Sequence, residues 1–191
     1  DGDSASTGGD DGGDDGGGID TEYFTDLPNS TGSFVLVVIQ DVVGLDVGDE
    51  VGLFDMNGVT ESCLVDDGCT DPQYGQTLVG AGVYLGDQLG ITSTMSIDNS
   101  NFGGDILNGA VQGNPIMIQV WDESDGIVST PTAVFAGGSI WDASVGLIVI
   151  DSIDGYRYGC TDSDAINFDP NANMDDGTCE YTVVQSVEMM P

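Results

Sequence analysis

The sequence has no histidine and no lysine, and its one arginine, Arg157, stands against 34 Asp and Glu for a net charge of −33. Each absence removes a class of chemistry. Without imidazole there is no Ser-His-Asp or Cys-His unit and no histidine metal site. Without lysine there is no Schiff base, no P-loop lysine and no Lys–Asn isopeptide crosslink. One arginine cannot supply the many phosphate contacts that nucleic-acid affinity needs, so no nucleic-acid partner is expected. General acid–base chemistry is left with carboxylates and tyrosines, and an enzyme is not expected. Among so many acids some pair falls at glycosidase spacing by chance, so that signal carries nothing. No run approaches the length of a membrane span. No basic, apolar leader opens the chain, which reads as a mature form.

What remains is not the composition of a disordered chain. Apolar residues make up 39% and the mean hydropathy is zero, whereas highly charged disordered segments are poor in apolar residues. The acid is unevenly chosen, with 28 Asp against 6 Glu. Asp suits turns, where its short carboxylate bonds nearby backbone amides. It also suits calcium loops, whose ligands are hard oxygens at close spacing. Together with 30 Gly, this predicts a loop-rich β protein in a cation-rich medium. Four cysteines fit disulfides and an oxidising, extracellular or cell-surface setting.

Four regions follow from the composition. Residues 1–18 hold six Asp, eight Gly and no large apolar side chain, an acidic extension. Residues 19–155 read strand after strand. Phe34–Ile39 is a continuous apolar run, long enough for a buried strand and too short for a helix. Further strands are predicted at Glu50–Asp55, Val59–Val65, Leu78–Leu85, Gly90–Ile97, Pro115–Trp121, Ile127–Phe135 and Val145–Ile150, separated by Gly, Asn and Asp turns. Short strands at this spacing predict an all-β, Ig-like or jelly-roll-type β-sandwich over a barrel. Residues 156–181 form a Cys-framed Asp/Asn-rich loop. Residues 182–191 continue a strand-like extension that begins at Tyr181, suited to adding itself to another subunit's sheet edge.

The Cys-framed loop is the first candidate metal site. Asp162, Asp164, Asn167, Asp169, Asn171, Asn173, Asp175 and Asp176 lie between Cys160 and Cys179, with Glu180 just beyond. Oxygen side chains at alternate positions converge on a cation when the backbone curls around it. Asp169, Asn171, Asn173 and Glu180 match the first, third, fifth and twelfth positions of an EF-hand loop. The match fails at Met174, where that loop needs glycine, and Pro170 and Cys179 are foreign to it.

From Gly159 to Cys179 the residues closely resemble a short repeat, GC-D-x-x-A-x-N-Y/F-x-P-x-A-x-x-D-D-G-x-C, of secreted marine bacterial and archaeal proteins. The repeat is loosely similar to thrombospondin type-3 calcium repeats. Val47–Asp55, Val79–Tyr84 and Gly113–Asp122 more loosely resemble a β-sandwich module of large secreted Bacteroidota proteins. The resemblance implies calcium as cofactor, export and surface display, and no enzymatic activity.

A second acidic group, Asp46, Asp49, Glu50, Asp55 and Asn57, either shares a calcium at one end of the sandwich or builds the turns there. Asp122 and Asp125 form a third candidate pair. Of three possible disulfide pairings, Cys63–Cys69 with Cys160–Cys179 is preferred, against a four-cysteine zinc site that needs a reducing setting. Asn29-Ser-Thr31 fits a glycosylation sequon. Trp121 and Trp141 either stack on a glycan or fill the core. The reading that unites these features is a structural subunit of a calcium-stabilised surface assembly or filament. Its copies associate with one another through terminal extensions. The alternative is a monomeric, calcium-dependent adhesion or glycan-binding module on the cell surface, with surface glycans as partners.

Overall fold

The structure, a computed structural model, describes residues 20–182. The acidic extension expected over 1–18 and nearly all of the strand expected from Tyr181 onward lie outside them. In chain order the strands are β1 (Phe34–Val43), β2 (Glu50–Val59), β3 (Tyr74–Val83), β4 (Leu89–Thr94), β5 (Ile97–Asp98) and β6 (Ile106–Leu107). They continue with β7 (Ile116–Asp122), β8 (Ile127–Ser129), β9 (Thr132–Phe135), β10 (Leu147–Asp154), β11 (Tyr158–Gly159) and β12 (Met174–Asp175). Among the described residues the sole helical turn is a 3-10 turn at Ser100–Phe102.

Two four-stranded sheets, β4-β1-β10-β9 and β3-β2-β7-β8, make a β-sandwich. The second is antiparallel throughout, whereas the first is built around a parallel pair, β1 beside β10, with Leu36 opposite Leu147 and Val38 opposite Val149. Alternation along each strand sends one set of side chains inward. Val35, Val37, Ile39, Ile148 and Ile150 of one sheet meet Val51, Leu53, Ile118 and Val120 of the other in a single core, with Trp141 wholly buried among them. Each such side chain contributes about 1.5–3 kcal/mol by leaving water. The run Phe34–Ile39 is thus buried on one face only: Phe34 and Leu36 are exposed on the other.

The outer face of β2 is different. Phe24 of the N-terminal segment packs on Phe54 and Leu78, and Tyr23 stacks on Trp121 with ring centroids 5.2 Å apart. Gly52 makes room, since a Cβ there would meet the Phe24 ring at 3.0 Å. This strap explains why β2 is buried on both faces.

Several expected strands changed. Val59–Val65 is not a strand; β2 ends at Val59, and Cys63 makes an isolated bridge to Ile106 on the way to its disulfide. The expected run Ile127–Phe135 is two strands in different sheets, broken at Thr130-Pro131, where proline has no N–H for a ladder. Strands β1, β2 and β10 run four residues past their expected ends, to Val43, Val59 and Asp154, β3 starts at Tyr74 rather than Leu78, and the expected Gly90–Ile97 ends at Thr94.

Strand directions define two poles. Strands β10 and β7 both end at the pole that carries the Cys-framed loop. At the opposite pole β1 and β10 begin and β2 ends, leading into the Cys63–Cys69 loop.

Candidate functional site

Both disulfides have the preferred pairing: Cys63–Cys69, with Cα atoms 5.2 Å apart, and Cys160–Cys179, at 4.9 Å. They close loops at opposite poles, so the four cysteines share no centre.

The Cys160–Cys179 loop is a small module whose polar side chains organise its own backbone. Asp162 Oδ1 accepts from Asp164 N–H at 2.9 Å, Asp169 Oδ1 from Asn171 N–H at 2.9 Å, and Asp175 Oδ1 from Gly177 N–H at 3.0 Å. Asp176 Oδ1 accepts from both the N–H and the hydroxyl of Thr178. Asn167 bridges the loop's ends, accepting from Glu180 N–H and donating to Thr178 O, while Asn173 Oδ1 accepts from Arg157 N–H. The hydrogen bond from the Tyr181 hydroxyl to Asp162 Oδ2, at 2.6 Å, and then the Asp164 amide hold the Asp162 carboxyl below the usual carboxylate range. The same bond pushes the Tyr181 phenol up. Thr178 lowers Asp176 in the same way. Asp164 is exposed.

Arg157 docks this module on the sandwich. Its Nη1 meets Asp122 Oδ2 at 3.0 Å, its Nη2 meets Asp125 Oδ2 at 2.7 Å, and its Nε donates to Asn171 O at 2.7 Å. The cation that Asp122 and Asp125 hold is therefore the guanidinium. Burial pushes the Asp122 carboxyl up, but hydrogen bonds from Ser124, the Asp125 amide and Arg157, with the Arg157 charge, outweigh it and leave the group lowered.

The second acidic group is not brought to one point. Glu50 and Asp55 sit five residues apart on β2, about 16 Å at the rise of a strand. Glu50 is buried, and its carboxylate accepts the successive N–H groups of Glu22, Tyr23 and Phe24. This anion clamps the strap that covers β2. Asp55, with no exposed surface, accepts from Asn57 N–H, Val111 N–H and the Asn114 side-chain amide. Asp49 is buried, accepting from Asp46 N–H and Glu123 N–H, and burial followed by the nearby Asp122 and Asp46 charges raises its carboxyl despite those bonds. Asn57 is exposed, and its carbonyl accepts from Asn114. Sequence reasoning treated these residues as ligands or surface-turn formers and missed their burial. Asp55 follows Val51 and Leu53 at the same parity along β2, which was the available signal for its inward face, whereas Glu50 lies on the opposite face under the strap and nothing in the sequence marked it.

Neither tryptophan is an open platform. Trp141 is in the core, its Nε1 without a partner, and Tyr23 covers a face of Trp121. Asn29 is exposed ahead of β1.

The donor set of the Cys-framed loop fits a hard cation in kind, being wholly carboxylate, amide and carbonyl oxygen. Among the described residues no three His, Cys, Asp or Glu side chains converge tightly enough to hold a metal by themselves. A cation there would combine one or two carboxylates with backbone or amide oxygens. Among the described residues no helix is long and apolar enough to cross a membrane. No protein-family model, curated protein or solved structure matches the chain.

Proposed function

We propose that the chain is a structural, non-enzymatic subunit of an extracellular, calcium-stabilised surface assembly or filament, its copies joined through terminal extensions. The observation that carries this reading is uncompensated charge on a rigid scaffold. The one guanidinium is used inside the domain, on Asp122 and Asp125, so the other carboxylates have no cationic side chain to meet on a neighbouring copy. Copies at a net charge of −33 repel unless mobile cations intervene. Hard divalent ions suit the carboxylate oxygens that the Asp turns leave unused. Two disulfides and a continuous core support a durable module in an oxidising medium.

The test is electron microscopy with sedimentation of the chain in millimolar calcium and again after excess chelator. Ordered filaments that dissolve on chelation are expected. A monodisperse monomer in both conditions refutes the reading.

A further inference from the structure

The two sheets are unequally covered. The outer face of β2 lies under the Tyr23–Phe24 strap, whereas the outer face of β1 and β10 presents Phe34, Leu36 and Leu147 to solvent. Register places Leu36 opposite Leu147 and Val38 opposite Val149, so these side chains form one apolar surface. It runs into a groove of about 380 Å³ lined by Ala136, Ile140, Asp142, Val145, Leu147 and Val149. The groove's lining carries one carboxylate, Asp142, in a chain of 34 acids, with Asp151 the next acid along the outer face of β10, and exposed apolar surface of this kind marks an interaction site.

We infer that this groove receives the C-terminal segment, residues 183–191, of a neighbouring copy, an inference that rests on the assembly reading above. Three observations select this occupant. The segment Val183-Val-Gln-Ser-Val-Glu-Met-Met-Pro191 carries five large apolar side chains and one acid, Glu188, which matches the groove in polarity. The described residues end at Thr182, next to Tyr181 bonded to Asp162 of the module at the pole where β10 ends, and the groove lies at the pole where β10 begins. Nine residues span about 30 Å fully extended. Running back along β10 from Asp154 to Val149, where the groove's lining begins, would use about 16 Å of that, leaving about four of the nine residues for the groove. A copy stacked head-to-tail delivers the segment to the groove directly. Such a contact is heterologous and, where its rotation does not close, propagates as an open filament.

The test uses two full-length variants, Leu147→Asp in the groove and Val184→Asp/Val187→Asp in the tail, each checked for native near-ultraviolet dichroism. Val145→Asp, exposed and outside the strands, replaces the groove variant if Leu147→Asp does not fold. In calcium each variant alone is expected to sediment as a monomer. Their equimolar mixture is expected to give a discrete heterodimer and nothing larger, because one intact tail meets one intact groove and both outer ends are blocked. A folded mixture that stays monomeric, or either variant polymerising like the unmodified chain, overturns the tail-in-groove contact while leaving calcium-dependent assembly standing. An unmodified chain that is monomeric in calcium overturns the assembly reading itself.

Discussion

Replacing Arg157 with alanine should release the Cys-framed module from the sandwich without unfolding the sandwich. The side chains of Arg157 and Asp122 are each 13% exposed, so their hydrogen-bonded pair is poorly screened and worth about 1.5–3 kcal/mol. Asp125 is 50% exposed, and its pair adds below about 1 kcal/mol. The bond from Nε to Asn171 O adds about 1 kcal/mol. The sum, about 2.5–5 kcal/mol, corresponds to about two to three and a half decades in the opening equilibrium at about 1.4 kcal/mol per decade.

Because the side-chain bonds of Arg157 run to Asp122 and Asp125 at the sandwich's edge and to Asn171 of the module, this loss belongs to local opening rather than global unfolding. Hydrogen exchange read by mass spectrometry is therefore the assay. Peptides covering 156–176 should exchange about a hundredfold or more faster in Arg157→Ala, while those covering β1 and β2 keep their protection. Arg157→Lys should recover less than half, since an ammonium cannot present the planar fork that reaches two carboxylates and a carbonyl at once. A cycle with Asp122→Asn should return a coupling of about 1.5–3 kcal/mol. Unchanged exchange over 156–176 in Arg157→Ala would refute the argument. It would mean that Gly155 N–H on Val43 O and the packing of Tyr156 against Gly44 hold the module unaided.

Asp55→Ala should cost about 3 kcal/mol in chemical denaturation, because it strips acceptors from the Val111 amide and the Asn114 side chain in a buried setting. Glu50→Gln should free the strap, since an amide offers one acceptor where three N–H groups now converge; fluorescence of Trp121, uncovered by Tyr23, should change while β1 stays protected. Asp→Asn at 169 and 175 keeps an Oδ1 acceptor for each turn but removes the charge, so the calcium-free melting temperature should hold within the effect of about 0.5 kcal/mol per site while the response to calcium is lost. Acid should undock the module first. Asp122, Asp162 and Asp176 are lowered in the fold, so their contribution is complete above the unfolded carboxylate value of about 3.9 and lost as pH falls through their lower folded values. Asp49, raised by burial, runs the other way. Tyrosine near-ultraviolet dichroism on titration into acid should therefore fall before the far-ultraviolet strand signal.

The strands were legible because inward residues alternate with turn residues at short, regular spacing, and the disulfide pairing was legible from the two short Cys-framed loops. The pairing partners were not. Nothing in Phe34–Val43 or Leu147–Asp154 says that they lie parallel, since parallel pairing is decided by contacts more than a hundred residues apart. The acids were legible as a class and misread individually. A carboxylate in a turn and one sealed on a strand are the same letter, and what separates Asp55 from Asp164 is that Val111 and Asn114 arrive from a distant loop to meet it. The Arg157 contacts were equally out of reach, because Asp122 and Asp125 precede the arginine by more than thirty residues.

The preference for Asp over Glu now has a structural cause. Nine aspartates, Asp55, Asp98, Asp122, Asp142, Asp154, Asp162, Asp169, Asp175 and Asp176, accept the N–H two residues onward through Oδ1. Glutamate, one methylene longer, does not share the short Asx-turn geometry. The charge is thus a by-product of turn construction. Asparagine could supply the same acceptor without the charge, yet only three Asn stand inside the Cys-framed loop against five Asp. A negative charge kept where a neutral residue would fold as well must be balanced or used. With the one arginine committed to docking, the balance has to come from outside the chain. On the proposed reading, calcium would act at the turns themselves: the atom that shapes the loop and the atom left for a cation belong to one carboxylate.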